Sequence, residues 1–100
     1  MIIVMGQIRL GDGEGERARA LLTRHMADVA AEEGCELYCF AYDATDPDLV
    51  RVAERWTSWE ALAAHGQAPH QKAFGRALQA HGVREIGVDA YEGAFARKLI

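Results

Sequence analysis

The sequence predicts an α+β fold with the element order β-α-β-β-α-α-β, the split β-α-β arrangement of ferredoxin-like domains with an antiparallel sheet. Three observations lead to this prediction. A long segment with helical periodicity follows the first strand, two alternating segments then form a hairpin, and the second helical region is broken in two. The chain has 100 residues, of which 50% are hydrophobic, and a chain of this size typically forms one domain, which we place over residues 1–100.

The first half of the chain is predicted to form a strand, a helix and a hairpin. Residues 1–10 are rich in aliphatic side chains and run into a Gly-Asp-Gly loop, so they form a strand. Apolar residues recur at helical spacing over 14–33, with Asp12 or a neighbour as the N-cap and a glycine directly after the helix. Residues 35–44 and 49–57 alternate on either side of turn residues, which predicts an antiparallel hairpin with a loop of about four residues.

The second half is predicted to form two short helices and a last strand. Residues 57–60 read Thr-Ser-Trp-Glu, which has the form of a capping box with the threonine as N-cap, so a helix begins there. Gly66 and Pro69 interrupt this helix. Because proline is favoured in a first helical turn, a new helix is expected over 68–81. The last strand is expected over 83–95.

Both faces of the predicted hairpin are apolar. Side chains alternate between the faces of a strand, so the second strand carries small and aliphatic residues on one face and three aromatic rings on the other, namely Tyr38, Phe40 and Tyr42. The helices of a ferredoxin-like fold cover only one side of the sheet. We therefore expect the three rings to lie where no helix of their own chain shields them, and a homodimer to form largely through sheet faces. A pocket is the alternative explanation for part of this surface.

Charge and hydropathy limit the classes of partner. The net charge is -4 and no run of Lys or Arg exceeds two residues, so no basic footprint for nucleic acid is present. No apolar stretch approaches the length of a membrane span, so we expect no membrane partner and a cytoplasmic location. Cys35 and Cys39 lie about 13 Å apart on an extended strand, too far for a disulfide. They are read as small hydrophobic residues or, alternatively, as cytosolic thiols.

No cofactor is expected. The glycine-rich loop 11–15 superficially resembles a phosphate-binding loop, but Glu16 stands where its third glycine belongs and the parallel β-α-β context is missing. A metal site is also disfavoured, because no second cluster of His, Cys or carboxylate residues occurs at ligand spacing.

His65 and His70 form the most suggestive pair of candidate catalytic residues. They flank the junction between the two short helices, where irregular backbone can turn both imidazoles toward one cavity. Histidine exchanges a proton near neutral pH, so either ring could deprotonate a bound phenol or hydroquinone. The alternative is that both cap helix ends or lie in solvent.

Glu54 and Trp56 are candidate substrate-binding residues on one face of the third strand. Glu54 is a carboxylate in an otherwise apolar row, and such a group is costly to bury without a partner. The simpler explanation is an ion pair with an arginine such as Arg55 or Arg84. The alternative is a carboxylate that orients a pocket histidine.

Three further aromatic residues are candidates for the wall of a substrate pocket. Phe74 follows His70 by four residues and therefore shares its helix face, as a core residue or as a pocket wall. Tyr38 and Tyr42 are included because part of the aromatic strand face can belong to a pocket. His25 and His81 fit helix faces, and we assign them no role.

Five segments, in order over nearly the whole chain, closely resemble the antibiotic biosynthesis monooxygenase family. They are Glu33-Gly34-Cys35, the Asp46-Pro47 turn, Glu54-Arg55-Trp56, Glu60-Ala61-Leu62-Ala63-Ala64-His65 and Pro69-His70-Gln71-Lys72-Ala73-Phe74. The resemblance implies a dimeric α+β barrel built from ferredoxin-like protomers. It also implies a small aromatic substrate, because characterised members include oxygenases that convert quinols or anthrone-like compounds to quinones with O2 and without metal or flavin.

The resemblance also assigns roles. His65 and His70 match family histidine positions, Trp56 and Phe74 match aromatic positions, and Glu54 matches an acidic one. Where many relatives carry an aromatic residue this chain has a glutamine after His70, so the pocket shape is expected to differ.

A haem-degrading branch uses an axial histidine near the position of Gly75, and the absence of histidine at Gly75 makes haem degradation less expected. The family also contains a small-metabolite isomerase and members without known activity. A non-catalytic ligand-binding dimer or an isomerase therefore remains the alternative to a monooxygenase.

Overall fold

The computed structural model describes residues 1–100 as a four-stranded antiparallel sheet with four helices on one face. No helix has both the length and the apolar character needed to cross a membrane. The sheet order is β2-β3-β1-β4, and the α+β class and element order agree with the sequence prediction, apart from a break in the first helix. The elements are β1 (Ile2–Arg9), α1 (Glu14–Arg17), α2 (Arg19–Ala30), β2 (Cys35–Asp43), β3 (Asp46–Trp56), α3 (Trp59–Gln67), α4 (Pro69–Gln79) and β4 (Glu85–Glu92).

The core lies between the sheet and the helices. Strand β1 pairs with β3 so that Ile2 faces Trp56, Val4 faces Glu54 and Ile8 faces Val50, and paired residues point to the same side of the sheet. The buried residues form two clusters. One contains Ile8, Leu10, Ala18, Leu22, Val50, Val52, Phe74 and Leu78, and the other contains Ile2, Val4, Val29, Tyr38 and Trp56. The second cluster supports the region that holds the candidate histidines.

The expectation that the aromatic rings of β2 lie unshielded is wrong. Tyr38 is only 9% exposed and meets His25 of α2 edge to face, Phe40 stacks against Phe74 of α4, and the Tyr42 hydroxyl donates to the Gly15 carbonyl. The physical reason is the register of the hairpin. It pairs each ring with a β3 residue from the row that faces the helices, for example Tyr38 with the residue two before Trp56.

The face of the sheet without helices is the opposite one. Met5 is 57% exposed and Leu37 is 41% exposed on this side. A shallow depression of about 400 Å³ is lined there by residues that include Met5, Cys39, Ala41 and Ala53. The prediction that a second apolar face exists therefore holds, but its residues are aliphatic and small rather than aromatic.

The predicted long helix is broken at Ala18, which separates α1 from α2. The N-cap of α1 is Gly13, with φ of 77°, and not Asp12. Both the Gly13 and the Gly15 amides donate to the Asp48 carboxylate, and a Cβ on Gly15 would meet the Pro47 carbonyl oxygen at 1.8 Å. This first turn is thus held against the start of β3, while α2 packs on β2.

The turns and caps differ from the prediction in detail. Only residues 44–45 separate β2 from β3, because Asp43 accepts hydrogen bonds from both the amide and the hydroxyl of Thr45 and closes a tighter turn. Ser58, not Thr57, is the N-cap of α3, since its hydroxyl accepts from the Ala61 amide at 3.1 Å. The last strand is shorter than expected at both ends.

The break between α3 and α4 is confirmed. Ala68 has an extended backbone, with φ of −64° and ψ of 137°, and serves both as the end of α3 and as the N-cap of α4. Pro69 occupies the first position of α4, where its missing N–H costs nothing. His65 is therefore in the last turn of one helix and His70 in the first turn of the next.

Candidate active site

A cavity of about 220 Å³ lies between the sheet and the helices α3 and α4. We call it the inner cavity. It brings together the edge strand β4, the neighbouring strands and the junction of the two helices, and its lining residues are Val4, Glu54, Leu62, His65, Gln71, Val88, Asp89 and Ala90. All residues of β4 are exposed, so the cavity is open on that side of the chain.

His65 is the most buried of the candidate residues that line the inner cavity, at 5% exposed. Its ring centroid is 4.8 Å from that of Trp56 and 5.4 Å from that of Tyr38. Its Nδ1 lies 3.0 Å from Oε2 of Glu32. Nε2 has no partner within the chain, and since no fully buried polar side-chain atom lacks a partner, Nε2 must be accessible. The ring thus keeps one nitrogen free beside the cavity.

Glu54 is the buried carboxylate of the inner cavity, at 7% exposed. Trp56, two residues along β3 on the same face, donates its indole N–H to Oε1 of Glu54 at 2.9 Å. The ion pair considered for Glu54 does not form, because Arg55 pairs with Glu36 on the other face and Arg84 pairs with Asp12. Burial raises the pKa of Glu54 above its usual value, and the Trp56 hydrogen bond opposes this only in part.

His70 lies beside His65 but faces a different space. Its Nε2 is 2.7 Å from the same Glu32 oxygen that His65 contacts. The ring lines a groove of about 260 Å³ between α2 and α4, which we call the outer groove, together with His25 and Phe74. One carboxylate therefore joins a histidine of the inner cavity to a histidine of the outer groove.

His25, to which the sequence analysis assigns no role, lies at the centre of this region. Its ring stacks on Phe74 with centroids 3.8 Å apart, and its centroid is 5.9 Å from that of His70 and 6.4 Å from that of His65. Nε2 donates to the Gln71 side-chain carbonyl at 2.6 Å. Burial lowers the pKa of His25, so the neutral ring is favoured. The signal that could have identified His25 is its position among the regularly spaced apolar residues of α2.

The remaining candidates occupy three different places. Trp56 is fully buried, donates its indole N–H to Glu54 and packs against the His65 ring. Tyr38 packs beside His65, and burial raises its pKa far above the usual range, so its hydroxyl stays protonated. Phe74 belongs to the outer groove, while Tyr42 lies beneath Arg19 near Gly15 and is not part of either histidine site.

No group of three or more His, Cys, Asp or Glu side chains is arranged to hold a metal ion. The inner cavity instead combines apolar walls with one accessible imidazole nitrogen, one buried carboxylate and the Gln71 amide. Such a site can bind a flat apolar molecule that carries hydroxyl groups and can accept a proton from it.

The family model for antibiotic biosynthesis monooxygenases matches residues 1–77. The chain belongs to this family. It is 33% identical over 89 residues to the Escherichia coli protein named "Probable quinol monooxygenase YgiN", covering 79% of this chain and 86% of that protein. The resemblance inferred from the five sequence segments is thereby confirmed.

Two solved structures share the fold of this chain. A candidate family member from Deinococcus radiodurans superposes with a TM-score of 0.91 at 25% identity, covering 100% of this chain and 99% of that one. Rv0793 from Mycobacterium tuberculosis gives a TM-score of 0.83 at 22% identity, covering 97% and 98%. The family match reaches as far as α4 and includes His65 and His70, whereas β4, which lines one side of the inner cavity, lies beyond it.

Proposed function

We propose that this family member is a monooxygenase that oxidises an aromatic quinol with O2 in the inner cavity, without metal or flavin. The observation that carries the proposal is that His65, with its Nε2 free, and the buried Glu54 line the same cavity as the apolar residues Val4, Leu62 and Val88. The name of the Escherichia coli relative supports the choice of a quinol as the substrate class. An anthrone-like compound has a similarly acidic and electron-rich ring system, so it is included in the oxygen-uptake assay described below.

The proposed reaction needs no further oxidant than O2. His65 Nε2 takes the proton of a ring hydroxyl, and the resulting phenolate transfers one electron to O2. The two radicals then couple, forming a bond between a ring carbon and oxygen. The peroxide takes the proton back from His65. Loss of the proton on that carbon breaks the O–O bond, so quinol and O2 give a hydroxyquinone and one water molecule.

Glu54 has a separate role in this proposal. Trp56 occupies Oε1 of Glu54, and Oε2 remains available to accept a hydrogen bond from a second hydroxyl group of the substrate, which would orient the ring in the cavity. Val4, Leu62 and Val88 give the cavity apolar walls, and once its open side is covered, the exclusion of water would strengthen each of these polar contacts.

The test is oxygen uptake with a panel of quinols and anthrones, using protein dialysed against a chelator and free of flavin absorbance. We expect one O2 consumed per quinol, and His65→Gln to lower kcat/KM by about 100-fold or more. No uptake with any substrate, or an unchanged rate in His65→Gln, would contradict the proposal. A ligand that raises the melting temperature without oxygen uptake would instead identify a non-catalytic binding protein.

We also propose that the protein forms a homodimer. The face of the sheet without helices is apolar around Met5 and Leu37, and β4 and the residues after it expose Ile86, Val88 and Phe95. A second copy of the chain would cover these surfaces and close the open side of the inner cavity. Sedimentation should show a dimer at micromolar concentration, and a monomer under these conditions would overturn this proposal.

We place the protein in the cytoplasm, on the ground that its two cysteines are unpaired thiols, as is usual in a reducing compartment. Fractionation of cells that produce the protein tests this.

A further inference from the structure

We propose that Glu32 is a positioning residue that acts through His65. It fixes the His65 ring in the tautomer with the proton on Nδ1, so that Nε2 is the proton acceptor, and it stabilises the positive charge that the ring gains. His70 holds the same carboxylate from the outer groove. The kinetic part of this inference rests on the proposed function, whereas the tautomer can be measured without any substrate.

The contacts of Glu32 support this assignment. Both carboxylate oxygens lie within reach of His65 Nδ1, at 3.0 and 3.2 Å, and one of them also contacts His70 Nε2 at 2.7 Å. An ionised carboxylate only accepts hydrogen bonds, so each of these ring nitrogens must carry the proton. For His65 this leaves Nε2 as the unprotonated nitrogen of the neutral ring.

The charge of Glu32 suits this role. Burial alone would raise the pKa of this carboxyl group, but the hydrogen bonds from His65 and His70 outweigh burial and hold the pKa below its usual value. Glu32 is therefore ionised at neutral pH. A fixed negative charge next to Nδ1 favours the imidazolium form that His65 reaches after it takes a proton from the substrate.

The turn between α2 and β2 holds Glu32 in place. Its amide donates to the Val29 carbonyl and its own carbonyl accepts from the Cys35 amide. Gly34 has a φ of 82°, and its carbonyl accepts a hydrogen bond from the Thr57 amide. Thr57 lies just before α3, the helix that carries His65. The carboxylate and the histidine thus belong to two segments that are tied together by backbone hydrogen bonds.

The same geometry separates the roles of the two histidines. His70 lines the outer groove and not the inner cavity, and its Nε2 is engaged by Glu32. It therefore serves to hold the carboxylate, while His65 alone presents a free nitrogen to the inner cavity.

The first test is the ¹⁵N NMR spectrum of the histidine side chains in the substrate-free full-length protein. We expect His65 in the Nδ1–H tautomer in the wild type. In Glu32→Leu, which has no acceptor, we expect the ring to shift toward the Nε2–H tautomer, which is favoured in water. The matched control is Glu14→Gln, which alters the other histidine–carboxylate contact, between Glu14 and His81, and should leave His65 unchanged.

An unchanged Nδ1–H tautomer of His65 in Glu32→Leu would overturn the proposal. If that variant does not fold, Glu32→Ala replaces it, because alanine also offers no acceptor to either histidine. His65 should then shift toward the Nε2–H tautomer as in Glu32→Leu, and retention of the Nδ1–H tautomer would overturn the assignment.

The second test uses the oxygen-uptake assay. We expect Glu32→Leu to lower kcat by about 10-fold or more with KM changed by less than about twofold, and Glu32→Asp to restore part of the loss. A kcat close to that of the wild type would overturn the positioning role. If the wild type oxidises no quinol, the proposed function fails, while the NMR result still decides the tautomer.

Discussion

The protein contains two histidine–carboxylate contacts of similar length in very different surroundings. His65 and Glu32 are 3.0 Å apart with side chains 6% and 16% exposed, and His81 and Glu14 are also 3.0 Å apart, at 21% and 22%. In the first pair, His65 lines the inner cavity and the carboxylate is shared with a second histidine, His70. A hydrogen-bond length alone therefore does not identify a site. Burial, a second donor and a free ring nitrogen distinguish the candidate active site from a surface contact.

The largest expected difference between the two regions is the loss of folding stability when the glycine of each turn is replaced by alanine. Gly34 and Gly13 both have positive φ and lie close to Glu32 and Glu14. A Cβ at Gly34 would meet the Ala61 Cβ at 2.5 Å and the Thr57 hydroxyl at 2.7 Å, whereas a Cβ at Gly13 meets nothing within 4 Å. Gly34→Ala should lower the free energy of unfolding by about 3 kcal/mol and Gly13→Ala by about 1 kcal/mol, measured by urea denaturation. Equal losses would mean that the turn near Glu32 is no more tightly packed than the other.

The two tryptophans provide the next comparison. Trp56 is fully buried and donates its N–H to Glu54, while Trp59 is 47% exposed and donates to Glu92 at the protein surface. Trp56→Phe removes the only donor to a buried carboxylate and should cost about 1–3 kcal/mol of stability. Trp59→Phe should cost less than about 0.5 kcal/mol in the same denaturation experiment. Similar values for both would contradict the inference that Glu54 depends on Trp56.

The direction in which stability changes with pH should identify the contribution of the buried His25. Burial lowers the pKa of His25 in the folded protein below its usual value of about 6.5. Between the two values the unfolded chain binds more protons than the folded one, so stability should fall as the pH drops below 6.5. The raised pKa of Glu54 acts in the opposite direction. Denaturation curves at several pH values between neutrality and the mildly acidic range should therefore have a flatter pH dependence in His25→Phe than in the wild type. An identical dependence would show that His25 is not desolvated as described.

Much of the fold can be predicted from the periodicity of the sequence, and the main error of that prediction has a specific cause. Alternation along β3 correctly indicates that Val52, Glu54 and Trp56 share one buried face. Alternation along β2 correctly places Tyr38 on one face, but it does not determine which face the helices cover. That depends on the register between the two strands, which brings Tyr38 opposite Glu54. Treating the hairpin as a paired unit would have placed the aromatic rings in the core.

The candidate site was predictable only in part, for a similar reason. The helix break led to the prediction that His65 and His70 turn toward one cavity. Pro69 and the extended Ala68 do form the irregular junction, but the two rings line different spaces and share only the Glu32 carboxylate. Glu32 was not predicted as a site residue because it lies in a turn without periodicity, 33 residues before His65. The fold brings the two together through the backbone bonds of that turn, which no local pattern of residues records.

The smallest effect is expected from the coupling energies of the two histidine–carboxylate contacts themselves. A double-mutant cycle with Glu32→Gln and His65→Gln should give a coupling of about 1 kcal/mol at neutral pH, since both side chains are largely shielded from solvent. A cycle with Glu14→Gln and His81→Gln should give a smaller coupling that added salt reduces further, because both partners of that contact are more accessible to water. If the Glu14–His81 coupling matched or exceeded that of Glu32 and His65, burial would not be what separates the two regions. The case for Glu32 would then depend on the His65 tautomer alone.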